Sequence, residues 1–194
     1  IQSSINSFGS IAMAGSTASA NVEGFVYNAM NAVYQTTLSF TSQNYGAGKM
    51  DRVTKILLDC LGLVVLVGVV MGGGAVLLGP KLLQIYSSDP EVISYGMMRM
   101  RIINGSYFLC GIMDTMVGGL RGLGHSVVPM LVSLTGACLF RVVWIFSVFA
   151  MHRTVTTLYL SYPVSWIITF TAHIICYIVI RRRMAARRKS RDEI

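Results

Sequence analysis

Residues 53–78, VTKILLDCLGLVVLVGVVMGGGAVLL, decide the fold. A helix needs roughly 20 mostly apolar residues to cross a bilayer, and this segment, the most hydrophobic of the chain, supplies them. Measured outward with the same ruler, further spans fall at 91–119, 127–151 and 154–180 on one side and at 22–41 and 1–20 on the other. The stretch 22–41 is unusually polar, and 1–20 is rich in Ser, Gly and Ala. The joining pieces QNYGAGKMDR, GPKLLQIYSSDP, RGLGHS and MHRT are short and carry turn chemistry. Connections of that length make consecutive helices antiparallel. The expected fold class is an all-α integral membrane protein: six antiparallel transmembrane helices over 1–180, then a basic tail over 181–194.

Composition agrees. Of 194 residues, 54% are hydrophobic and only 12% charged, against about 25% charged in a soluble domain. Too little polar surface remains to solvate a globule, so lipid is the expected partner. The net charge of +8 is concentrated in RRRMAARRKSR (Arg181 to Arg191), which holds seven of the sixteen basic residues. Directly after an apolar stretch, such a run reads as an anchor beside anionic headgroups rather than a nucleic-acid site. Lys49, Arg52, Lys55, Arg121 and the tail lie at one set of helix ends, and Lys81, Arg99, Arg101 and Arg153 at the other, a split of 11 to 4. The tail is therefore expected to be cytoplasmic, in a multi-pass protein of the cell membrane. The first residues, from Ile1, read as the middle of a longer protein.

The four cysteines, Cys60, Cys110, Cys138 and Cys176, sit singly in apolar segments. Their spacing indicates neither a disulfide framework nor zinc, and buried structural thiols are expected. The GxxxG of Gly68 and Gly72 reads as close helix packing. No Ser/His/Asp constellation or phosphate-binding loop has credible context, so an enzyme is not inferred.

Polar residues at bilayer depth carry the functional reading. Asn28, Asn31, Gln35, Ser39 and Ser42 recur at three- and four-residue intervals and share one helical stripe. Facing lipid they would be costly, so they border other helices or a watery cavity. Interhelical hydrogen bonding and a solute pathway both satisfy that demand. Tyr162, Trp166, Thr169, His173 and Tyr177 form a second stripe, for which packing competes with a binding wall. Ionisable groups inside a span need a reason. Asp114 is a candidate cation or proton site, with a structural partnership to a donor such as Arg121 as the competing reading. Arg141 lies near the middle of its helix. By rise per residue it differs in depth from Asp114 by roughly 13 Å, which disfavours a direct pair. Arg99 and Arg101 are expected to snorkel to the outer headgroups.

Five blocks carry a family pattern: QSSINSFGSIAMAG (2–15), SFTSQNYGAGKMDRV (39–53), GGLRGLGHSVVPM (118–130), ACLFRVVWI (137–145) and LYLSYPVSWIITF (158–170). In spacing and order they resemble the second half of multidrug and toxic compound extrusion (MATE) transporters. The resemblance implies a twelve-helix fold of two six-helix lobes around a central cavity, of which this chain is the C-terminal lobe. The missing N-terminal lobe is then a partner within the same polypeptide. It also implies a secondary antiporter exporting organic, often cationic, small molecules in exchange for Na⁺ or H⁺, with no other cofactor. On this reading Asp114 is the coupling candidate, and Asn6, Asn28, Asn31, Gln35, Arg141, Trp166 and His173 are cavity-lining candidates. The family's acidic position on this helix falls at Cys110, one turn from Asp114, which leaves the coupling ion open. A lipid-linked oligosaccharide flippase of the same superfamily and a non-transporting membrane scaffold are the alternatives.

Overall fold

The computed structural model describes residues 2–192, with side chains described for residues 3–186. Ile1, at the head of the expected first helix, and Glu193 and Ile194, at the end of the expected tail, lie outside the described residues. The described residues are almost entirely helical. A short α1 (Gln2–Asn6) is followed by α2 (Ser10–Gly46) and α3 (Met50–Leu77), then α4 (Gly79–Gln84) and α5 (Pro90–Ile103). A 3₁₀ turn, Asn104–Ser106, joins α5 to α6 (Tyr107–Gly122). Next come α7 (Val127–Ser133), a π-helical stretch (Leu134–Leu139), α8 (Phe140–Phe146) and α9 (Val148–Met151). The last helix, α10, runs over Val155–Asp192. Met50–Leu77, Val127–Met151 and Val155–Ala186 are long and apolar enough to cross a membrane.

The division at residues 20–22 is overturned. Helix α2 is continuous for 37 residues, about 55 Å at 1.5 Å per residue, which exceeds a hydrocarbon core of about 30 Å. The Ala- and Ser-rich stretch before Asn21 lacks a breaker, and small residues are compatible with a helix. The chain turns instead at Gly9, whose φ of 95° suits a residue without a side chain. The expected tail is also revised. Its Arg- and Ala-rich sequence consists of good helix formers, and α10 continues unbroken through it to Asp192.

The two glycine loops end their helices in the same way. After α2, the Lys49 N–H donates to Asn44 O at 2.9 Å, with Gly48 left-handed at φ 71°. After α6, the His125 N–H donates to Leu120 O at 3.1 Å, with Gly124 at φ 83°. Each is a Schellman-type stop that satisfies orphan carbonyls and reverses the chain.

Helices α2 and α6 form the centre, with α3 packed against both, α5 along α2, and α10 across α5 and α6. The α7–α9 rod leans chiefly on α10. Close approach of α3 to the α5–α6 turn requires its GxxxG. A methyl on Gly68 would stand 2.8 Å from the Phe108 Cα, and one on Gly72 would stand 2.5 Å from the Asn104 carbonyl oxygen. Cys60 and Cys110 are buried as expected, whereas Cys176 is half-buried and Cys138, on a π-helical stretch with no buried residue, is exposed.

Candidate functional site

The most strongly bonded polar group in the interior joins α2 to α5. Arg99 Nε and one terminal nitrogen donate to the two Glu23 carboxylate oxygens, each at 2.8 Å. The other terminal nitrogen donates to Ser16 Oγ at 2.8 Å, and Ser19 Oγ donates to Glu23 at 3.1 Å. The guanidinium carbon lies 5.5 Å from the Tyr159 ring centroid and 5.9 Å from that of Tyr162. Both charged side chains are about nine-tenths buried. Arg99 therefore does not snorkel, because an acid one helix away satisfies it inside the protein. Arg101, two residues on, is exposed. Sequence reasoning passed over Glu23. The available signal was Ser16, Ser19 and Glu23 at i, i+3 and i+7, on a different face of the helix from the amide stripe, with a basic residue inside a later span.

A second polar surface is open. On α2, Asn28, Gln35, Ser39 and Ser42 are exposed and Asn31 is half-buried, so among the described residues no other helix covers most of the stripe. Beside it, Asp114 on α6 has Tyr27 of α2 and Arg121 as electrostatic neighbours. Asp114 forms no ion pair among the described residues. Arg121 donates instead to Tyr34 Oη on α2, at 2.8 Å. The proposed Asp114–Arg121 partnership is thus not a direct bond. One turn before Asp114, Cys110 lies in the field of both Asp114 and Arg141.

Arg141 on α8 is half-buried and reaches α10. Its Nε donates to Ser165 Oγ at 2.9 Å, and its guanidinium carbon lies 4.1 Å from the Tyr162 ring centroid. Trp166 packs beneath, 5.9 Å from Tyr162 and 5.5 Å from Tyr107 between ring centroids. Trp166 is only 4% exposed and His173 is fully buried, so neither presents an open wall. His173 Nε2 lies 3.3 Å from Pro129 O and 3.4 Å from Ser133 Oγ, tying α10 to α7. The second stripe is therefore packing over most of its length, because the α7–α9 rod and α6 cover it. Asn6 is exposed at the end of α1, and the structure places it in no cluster with Asp114 or Arg141.

Residues 1–147 match the profile of the MatE family. The probable multidrug resistance protein NorM of Thermotoga maritima is 27% identical over 125 residues, which are 64% of this chain and 27% of the relative. The crystal structure of a mutant of the Vibrio cholerae MATE transporter VcmN superposes with a TM-score of 0.83 at 20% identity. That match covers 93% of this chain and 41% of VcmN, so the chain spans less than half the length of either relative. A profile match over most of the sequence, on a helical fold shared with a solved MATE transporter, makes this chain a member of the MatE family of membrane transporters.

Proposed function

We propose that the protein is a secondary antiporter that exports organic, drug-like compounds in exchange for Na⁺ or H⁺, and that this chain supplies one lobe of its cavity. The observation that carries the reading is Asp114. It is a half-buried acid on α6 without an ion-pair partner among the described residues, beside an amide stripe that the described residues leave largely uncovered. A structural acid is expected to be neutralised by a base, as Glu23 is by Arg99. An acid kept available beside water can take up a cation or proton in one conformation more tightly than in the other, and so bias their populations.

On this reading α2, α3, α5–α6, α7–α9 and α10 are five membrane-crossing rods, with α1 the end of a sixth. A second lobe closes the cavity over Asn28, Asn31 and Gln35. The basic end of α10, the α2–α3 loop and Arg121 face the cytoplasm, following the excess of Lys and Arg there. The test is Asp114→Asn in the full-length protein reconstituted in liposomes. Efflux driven by an imposed Na⁺ or H⁺ gradient is expected to fall to the background rate, while substrate binding persists. Undiminished gradient-driven efflux would remove Asp114 from the coupling step. The flippase reading draws on one observation, Arg141, an interior cation without an acidic partner among the described residues. Scrambling of lipid-linked sugars by the same liposomes, with no gradient-driven drug efflux, would favour it.

A further inference from the structure

Two arginines approach the Tyr162 ring from different helices, and their bonding differs. Arg99 is held at every nitrogen: each of the three donates to a protein oxygen. Arg141 uses only Nε, toward Ser165. Its two terminal nitrogens have no protein acceptor among the described residues, and the residue is half-buried rather than sealed in. A guanidinium edge with two parallel N–H groups matches the two oxygens of a carboxylate. The stacked Tyr162 face and the Ser165 bond hold that edge in one orientation, which lowers the entropy lost on binding.

We propose that Arg141 is an oxyanion subsite that receives the carboxylate of an aromatic solute, with Tyr107 and Tyr162 as its apolar wall. The inference rests on the transport reading and narrows its substrate class. With Asp114 one turn beyond Cys110 and Arg121 beside it, the open surface carries one anion and two cations. It therefore suits solutes bearing an acid, zwitterions among them, better than simple cations. Depth argues against a lipid headgroup as the occupant. Arg141 lies 14 residues beyond Val127 and 10 before Met151, about 21 and 15 Å from the two ends of the rod. Headgroup phosphates sit outside the hydrocarbon core.

The experiment is equilibrium binding to the full-length protein in lipid nanodiscs, without a gradient, of 1-naphthylacetate and its neutral amide. The wild type is expected to bind the acid about tenfold more tightly than the amide. Arg141→Gln is expected to abolish that preference while amide binding persists, and Arg141→Lys to retain part of it. Equal affinity for acid and amide in the wild type would overturn the proposal, as would a preference that survives Arg141→Gln. Equal loss of both probes in Arg141→Gln would reduce Arg141 to a packing role and overturn it too. Displacement of an Arg141-dependent occupant by dodecyl phosphate but not by 1-naphthylacetate would assign the site to lipid instead. Because no ion gradient enters the measurement, its failure is separable from failure of Asp114 as the coupling residue.

Discussion

Removing one member of the Glu23–Arg99 pair should be among the most damaging single changes in this chain. Arg99→Met leaves the Glu23 carboxylate about nine-tenths buried, with only the Ser19 hydroxyl, 3.1 Å away, to stabilise it. Two charge-assisted bonds of 2.8 Å are lost together, and the packing of Arg99 near Tyr159 and Tyr162 goes with them. Breaking a buried pair from one side costs about 3–5 kcal/mol. Glu23→Gln should cost less than Glu23→Ala, because the amide oxygen still accepts one bond from Arg99. Glu23→Leu with Arg99→Met leaves no charge to solvate and should recover most of the loss, since apolar replacements of buried pairs are often neutral or stabilising. The assay is a double-mutant cycle on reversible unfolding of the full-length protein in mixed micelles, with SDS as denaturant. The cycle isolates the pairwise term. Arg99→Met costing under about 1 kcal/mol, or single-site losses that simply add in the double variant, would refute the pair as the link between α2 and α5.

Three further outcomes follow from the packing. Gly72→Ala should destabilise by about 1–3 kcal/mol as overpacking, because the added methyl would meet a backbone carbonyl at 2.5 Å. Gly73→Ala, with nothing within 4 Å, should leave thermal stability unchanged or raise it by up to about 1 kcal/mol through helix propensity. Gly124→Ala should cost about 1–2 kcal/mol, because its φ of 83° crowds a Cβ; a melting curve matching the wild type would contradict that stop.

Legibility varied with the kind of signal. The bounds 127–151 were readable because Gly124 and the MHRT break flank an apolar run, and α3 because its run is long and apolar. Helix α2 was divided wrongly because hydropathy dips over Ser16 to Asn21, and a dip resembles a loop when the helix is longer than the bilayer. That false boundary placed Glu23 at a helix start, where an acid would be solvated, and so concealed the partner of Arg99. Contacts between residues 76 positions apart leave little trace in local periodicity. The open face was more legible: Asn28, Asn31 and Gln35 share a stripe by spacing alone, and α2 keeps that register. His173 and Trp166 share one as well, but burial depends on which rod lies over them, and spacing along α10 does not carry that information.

The central claim is that the uncovered amide stripe of α2 borders water while the exposed apolar cleft beside it, between α2 and α3, borders lipid. Single cysteines at Asn31 and Phe25, introduced into a full-length protein lacking its other cysteines, test it with a charged, membrane-impermeant maleimide. Asn31 is half-buried beside the open polar surface, whereas Phe25 is 69% exposed in an apolar cleft with Met71, Leu78 and Leu82. Labelling is expected at Asn31→Cys, with protection by substrate, and not at Phe25→Cys. Labelling at Phe25→Cys with none at Asn31→Cys would place the stripe against acyl chains or sealed helices and contradict the account.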